Sequence, residues 1–441
     1  MNPKPVSLSQ RALQTEDQPI SFFMQQAVEN PDLISLAAGL VDELSFPTGD
    51  IEEAVHNILA DPKAARAALQ YGTTQGYAPL REFLLKRTTG LDNLDPTDLA
   101  LTPNNVVVTT GSQQLLYLIG ETLVNPGDIV ITEAPSYFVY HGTLQSLGAK
   151  TLSVPMDEDG MRTDLLEAML EKLEHTGDID RVKMIYVIDY FQNPSGRSLS
   201  WERRKHLMEL VRRFSKNERI MVLEDAAYRE LRFDSDDVPS LKSLDEDNEY
   251  VMLTMTFSKP CSPGLKTGYG IMPTELVDPV LRLKGNHDFG SSNVTQHLIY
   301  NLLKSGVFEE HVNELRQVYR DKRDVVLQAL QESFGTDGQD TSGIHWTMPK
   351  GGMYVWLSYP PEVNTGPKGA LMKAAMHEGI LYVPGQFCYV NGDNGPVPHN
   401  EIRLCYGVEQ HDNLRTGIQR LARATWQVYP QLAPQGRMAE V

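Results

Sequence analysis

From about residue 105 the chain alternates continuous apolar runs with longer amphipathic stretches, and this alternation restricts the fold more than any other feature. "VVVTTG" (106–111) leads into "SQQLLYLIGETLV", and "DIVITEAP" (128–135) into "YFVYHGTLQSLG". "TLSVPM", "VKMIYVID" (182–189), "IMVLED" (220–225), "YVMLTMTFS" (250–258) and "TGYGIM" (267–272) continue the series. Between them lie the helical "TDLLEAMLEKLE" and "SWERRKHLMELVRRFSKN". A strand with one wet face alternates polar and apolar residues. These runs do not, so helices must cover both faces of the sheet. The expected fold class is α/β, with a mostly parallel sheet.

After about residue 307 the pattern changes. A long helical stretch, "VFEEHVNELRQVYRDKRDVVLQALQESF", precedes the short strands "GGMYVWLS", "GILYVPG" and "EIRLCYG" and the closing helix "EQHDNLRTGIQRLARATWQVY". This reads as a smaller α+β domain. The expected division is a segment 1–48 that packs with the small domain, a large α/β domain 49–306, and a small domain 307–441. At 441 residues with 41% hydrophobic content, the chain can bury cores for both.

Charge and leader composition narrow the setting. A net charge of −18 repels polyanions, so nucleic acid is not an expected partner. No run of 18 apolar residues exists, so no membrane span is expected. "MNPKPVSLSQ" lacks the apolar core of a signal peptide. Cys261, Cys388 and Cys405 have no CxxC spacing, and the histidines have no metal-ligand spacing. A cytoplasmic protein without a metal site is expected. The sequon at Asn293 then has no use, and "LDEDNEY" (244–250) reads as a solvated acidic loop.

No GxGxxG after a strand, GxxxxGK[ST], HExxH or GxSxG is present. The chemistry-bearing residues sit at strand ends, where open parallel sheets bind ligands. The first run ends in Gly111-Ser112-Gln113 as a helix begins, and a helix start suits a phosphate. The second passes Tyr137, which could cover a ring. "DYFQNPSG" delivers Asn193, "LEDAAY" delivers Asp225 and Tyr228, and "TMTFSKPCSPGLKTGYG" delivers Lys259, with Lys266 seven residues on. Each has a plainer reading. Ser112 can be a helix cap, "NPSG" a turn, Asp225 a cap on a neighbouring helix, and each lysine a solvated surface residue. The convergence of five strand ends on complementary chemistry favours a site.

The order of these motifs resembles the fold-type I, pyridoxal-phosphate-dependent aminotransferases of class I/II, from about Leu36 to Arg420. The sharpest match is "SKPCSPGLKTG", preceded by "NPSG" and the "EDAAY" run. The resemblance implies an aminotransferase that moves an amino group from an amino acid to a 2-oxo acid through a Lys259 Schiff base with pyridoxal 5'-phosphate. A strand-end pocket can desolvate Lys259 and lower its pKa. By resemblance Asp225 pairs with the pyridine nitrogen, Asn193 and Tyr228 bind the ring oxygen, and Tyr137 stacks on the ring. Gly111, Ser112, Gln113, Thr256, Ser258 and Lys266 hold the phosphate. Arg403, in "EIRLCYG", grips the substrate carboxylate as a fork; taken alone, an arginine in a strand reads as a surface ion pair. Gly39, in "SLAAGLVDELSFP", lines the substrate site. Tyr71, in "LQYGTTQGYAPLR", reaches the phosphate of a neighbouring subunit, which implies a homodimer with shared active sites.

Two departures stand out. Lys266 occupies a position where arginine is usual, and "AAGLVDELSFP" lacks the glycine-glycine-x-proline form. The overall flavour resembles the branch that handles 2-aminoadipate, kynurenine and branched or aromatic amino acids. A lyase or decarboxylase on the same scaffold is the alternative enzyme. A regulator with a fused DNA-binding module is the non-enzyme one, disfavoured by about 35 preceding residues and by the acidic charge.

Overall fold

A computed structural model describes residues 6–433 apart from 18, 31, 336–342 and 391–394. The apolar runs form one eight-stranded sheet. Its order is Val106–Thr109, Gly268–Ile271, Val251–Thr256, Met221–Asp225, Val182–Val187, Ile129–Ala134, Lys150–Asp157, Gly160–Met161. The middle pairings are parallel. Gly268–Ile271 is antiparallel to both neighbours, and these two reversals leave Val106–Thr109 pointing the same way as Val251–Thr256. All the long strands except Gly268–Ile271 therefore end along one edge. Gly160–Met161 closes a hairpin with Met156 and Asp157.

Helices cover both faces, as the apolar runs require. Val222 and Leu223 lie in different cores, as do Ile185 and Tyr186, because successive strand residues point to opposite faces. Each fully buried aliphatic side chain contributes about 1.5–3 kcal/mol, so two-sided burial favours such strands strongly. The helix Gly111–Leu123 lies so close that a Cβ on Gly270 would sit 2.2 Å from the Leu115 side chain. A side chain at 270 would force Leu115 to shift.

The later strands His345–Trp346, Tyr354–Ser358, Glu401–Cys405 and Val383–Pro384 form a second, antiparallel sheet. The helices Val307–Phe334 and His411–Val428 pack together beside it. Ile34–Ser35 pairs in parallel with Ile380–Leu381. Past that pair the segment stays strapped down. Leu36 N donates to Leu381 O, Cys405 N donates to Leu36 O, and Asp42 pairs with the buried Lys322 at 3.0 Å.

One expectation needs correction. Within 244–250, Asp245 is buried: it accepts from the backbone N–H of Glu249, Tyr250 and Val251 and pairs with Lys242 at 2.8 Å. Those N–H groups precede a buried strand and need an acceptor, so one acid of the loop turns inward. The amide of Asn293, at the chance sequon, donates to Ala67 O and Gln70 O. Among the described residues no helix is long and apolar enough to cross a membrane.

Candidate active site

The carboxyl edge of the large sheet brings Lys259, Asp225, Asn193 and Tyr228 together, and the small sheet supplies Arg403. Lys259 follows the strand Val251–Thr256, and its Nζ donates to Gly39 O at 2.8 Å. Part of the residue stays open, yet burial of the amine is the first reason its pKa falls to about 8. The positive charges of Arg403 and Lys266 push it the same way, and Cys405 opposes them. An amine so tuned holds a large neutral fraction near pH 8.

Asp225 ends its strand buried. Tyr186 OH donates to Oδ2 at 2.9 Å and Ala227 N to Oδ1 at 3.3 Å. Burial raises its pKa to about 6 against those two donors. No lysine or arginine among the described residues pairs with it. Two neutral donors leave a buried carboxylate short of compensation, so the site favours a cationic N–H.

Arg403 shows the opposite imbalance. It is 1% exposed, which rules out a surface ion pair. Nη1 donates to Asn193 Oδ1 at 2.8 Å and Nη2 to Ala37 O at 2.7 Å, while Nε has no partner. Its guanidinium lies over the rings of Tyr354, at 4.6 Å, and Phe138, at 5.5 Å. Asn193 Nδ2 reaches Tyr228 OH at 3.5 Å, and Tyr228 OH is 3.2 Å from Tyr354 OH.

The remaining positions divide. Gly111 opens the helix Gly111–Leu123 at φ +73°, so Ser112 and Gln113 lie in its first turn, where backbone N–H groups lack helical acceptors. Ser112 is therefore inside the helix and does not cap it. Thr256 Oγ1 donates to Ser258 Oγ at 2.9 Å, and Ser258 N donates to Thr256 Oγ1 at 3.1 Å. Tyr137 OH reaches Gln113 Oε1 at 3.4 Å. Lys266 adopts the left-handed conformation (φ +46°) with an exposed side chain, near enough for its charge to act on Lys259. Tyr71 is not brought to the others within one chain. It is 83% exposed, edge-on to Phe289.

Two members escaped the sequence reading. Hydrophobic pattern marks Tyr186 only as part of an apolar run, although a tyrosine in a fully buried strand needs a partner for its hydroxyl. Tyr354 lies in "GGMYVWLS", where no local signal marks it.

This donor set fits pyridoxal phosphate. It offers a depressed-pKa amine, a carboxylate lacking a cation, and a helix start with flanking hydroxyls. The aminotransferase class I and II family matches residues 31–421, and the chain belongs to that family. It is 34% identical over 399 residues to the aromatic-amino-acid aminotransferase 1 of Thermococcus litoralis, covering 90% of this chain and 88% of that protein. It is 33% identical over 398 residues to the 2-aminoadipate transaminase of Thermus thermophilus, covering 90% and 91%. It superposes on the kynurenine aminotransferase of Pyrococcus horikoshii, solved with PMP, at a TM-score of 0.85 and 32% identity, covering 96% and 97%. The protein is a pyridoxal-phosphate-dependent aminotransferase acting between amino acids and 2-oxo acids. Nothing in these likenesses supports a lyase or decarboxylase.

Proposed function

We propose that Lys259 is both the attachment point of pyridoxal phosphate and the carrier of the proton in transamination. The observation behind this is the buried amine, with a pKa of about 8, on the carbonyl of Gly39. Bound there, pyridoxal phosphate supplies an electron sink for the charge left at Cα when a proton departs. Lys259 is placed to take that proton and return it, since an amine titrating near the working pH serves both steps. Asp225 holds a protonated ring nitrogen. Asn193 and Tyr228 bind the ring oxygen, and Tyr137 covers the ring. Gly111, Ser112, Gln113, Thr256, Ser258 and Lys266 hold the phosphate.

Arg403 takes the substrate carboxylate beside Gly39. Its partnerless Nε and lack of any described acidic partner support this, because a buried guanidinium without an anion is costly. The names of the relatives make aromatic amino acids, kynurenine and 2-aminoadipate the first donors to try, against 2-oxoglutarate and pyruvate.

The active unit is a homodimer in which Tyr71 crosses to the partner's phosphate site. Leu44, Leu59, Leu69, Tyr71 and Phe289 are all exposed, and large apolar side chains in such number suit an interface. The chain divides into 1–48, 49–306 and 307–441, with the first segment packed on the last, a reading supported by the pairing of Ile34–Ser35 with Ile380–Leu381. A cytoplasmic setting without nucleic acid fits three buried free cysteines and a net charge of −18.

Borohydride reduction followed by peptide mapping tests the central assignment. The adduct is expected on Lys259, and an adduct on Lys266 overturns it. Mixing inactive Tyr71 and Lys259 variants should restore activity through hybrid dimers. Subunit exchange without recovery counts against shared sites.

A further inference from the structure

Tyr354 completes a closed circuit of contacts. Arg403 Nη1 donates to Asn193 Oδ1, and Asn193 Nδ2 donates to Tyr228 OH. Tyr228 OH meets Tyr354 OH, and the Tyr354 ring lies under Arg403. Two members follow strands of the large sheet, and two lie on strands of the small one.

The hydroxyl pair can be assigned by counting. A phenol has one proton and two lone pairs. Burial raises the pKa of Tyr354 to about 12 and that of Tyr228 well above its usual value, so both keep their protons at neutral pH. Asn193 already donates to the Tyr228 oxygen. If Tyr228 gave its proton to Tyr354, none would remain for a ligand. If Tyr354 is the donor, both Tyr228 lone pairs are filled and its proton is left over.

We propose that Tyr354 is a positioning residue that donates to Tyr228 and thereby aims the single Tyr228 proton at the ring oxygen of the cofactor. This rests on the reading that Asn193 and Tyr228 bind that oxygen. Gly39 supplies the room. A Cβ there would lie 2.7 Å from Tyr354 OH but 3.7 Å from the next ring carbon, Cζ. Any side chain at 39 displaces the hydroxyl, whereas a phenylalanine at 354 leaves ordinary contact.

The test titrates the absorption of the bound cofactor against pH, without substrate, in the holoenzymes of Tyr354→Phe, Gly39→Ala, the double variant and Tyr228→Phe. A donor aimed at an anionic oxygen lowers its basicity, so losing the donor raises the midpoint. Tyr354→Phe should raise it by about half a unit to one unit, the size of one neutral hydrogen bond. Gly39→Ala should raise it similarly, and the double variant no further than either single change, as for residues that share one contact. In turnover, Tyr354→Phe should lower kcat while the amino-acid KM holds within about twofold, because the ring under Arg403 remains. A midpoint moved by Tyr228→Phe but not by Tyr354→Phe overturns the proposal. A midpoint moved by neither overturns the assignment of Tyr228 beneath it. Additive shifts from Gly39→Ala and Tyr354→Phe overturn the claim that Gly39 serves this hydroxyl.

Discussion

Buried charge is treated in two opposite ways in this protein. Away from the site, several buried cations form direct pairs with acids. Arg229 pairs with Asp92 at 2.6 Å and with Asp237, Lys242 with Asp245, Lys322 with Asp42, and Arg204 with Asp189. In the cleft, Lys259 rests on a carbonyl, Asp225 on a hydroxyl and an amide, and Arg403 on an amide oxygen and a carbonyl. None of these three has a charged partner among the described residues. Paired charges inside a protein hold elements in register, whereas unpaired ones cost stability that a charged ligand repays. The two groups should therefore answer mutation with opposite signs.

The sharpest test removes the amine. Lys259→Ala should lower transamination by about a thousandfold or more, the range for a lost general acid–base group that is also the attachment point. Cofactor-free stability at neutral pH should rise rather than fall, because the buried amine binds its proton less tightly when folded, so melting curves of the apoprotein check the contrast. A variant that keeps a tenth of the activity breaks it.

Next in size is a break in a structural pair. Asp92→Ala leaves the buried Arg229 with Asp237 as its remaining described acid and removes the acceptor of Ser240 N, so it should cost about 3 kcal/mol in urea unfolding. A cost below 1 kcal/mol would erase the distinction between the two groups.

Asp225→Asn should act in the reverse direction. A carboxyl whose pKa rises to about 6 on folding binds protons more tightly in the native state. Its contribution is fully present below the unfolded value near 4 and is lost as pH rises through 6. At pH 7–8 the apoprotein should gain on the order of 1–3 kcal/mol from Asp225→Asn while cofactor affinity falls. Lys259 has the mirrored window. Its amine binds protons less tightly when folded, so apoprotein stability should rise between about pH 8 and 10.5, and Lys259→Met should flatten that rise. Urea unfolding across pH decides both signs.

The smallest effect is expected at Tyr186→Phe. It removes the 2.9 Å donor to Asp225, worth about 1 kcal/mol, or roughly fivefold in cofactor affinity by equilibrium titration. No change would mean that Ala227 N alone orients the carboxylate.

The sequence by itself determined the α/β class, because strand runs that carry apolar residues on both faces, such as 251–256, call for a sheet covered on both sides. It also exposed the strand-end residues Asn193, Asp225, Tyr228 and Lys259, since each lies beside a local break in hydrophobicity. Tertiary structure alone decided which distant pieces share those positions. The carbonyl of Gly39 meets an amine 220 residues away, Asn193 meets Arg403 across 210, and Tyr228 meets Tyr354 across 126. No local pattern encodes such separations. The inward turn of Asp245 and the antiparallel strand Gly268–Ile271 were hidden for the same reason. Hydrophobic periodicity reports only whether a residue is buried, whereas the partner of a buried polar group is chosen by whatever the folded chain places within 3 Å of it.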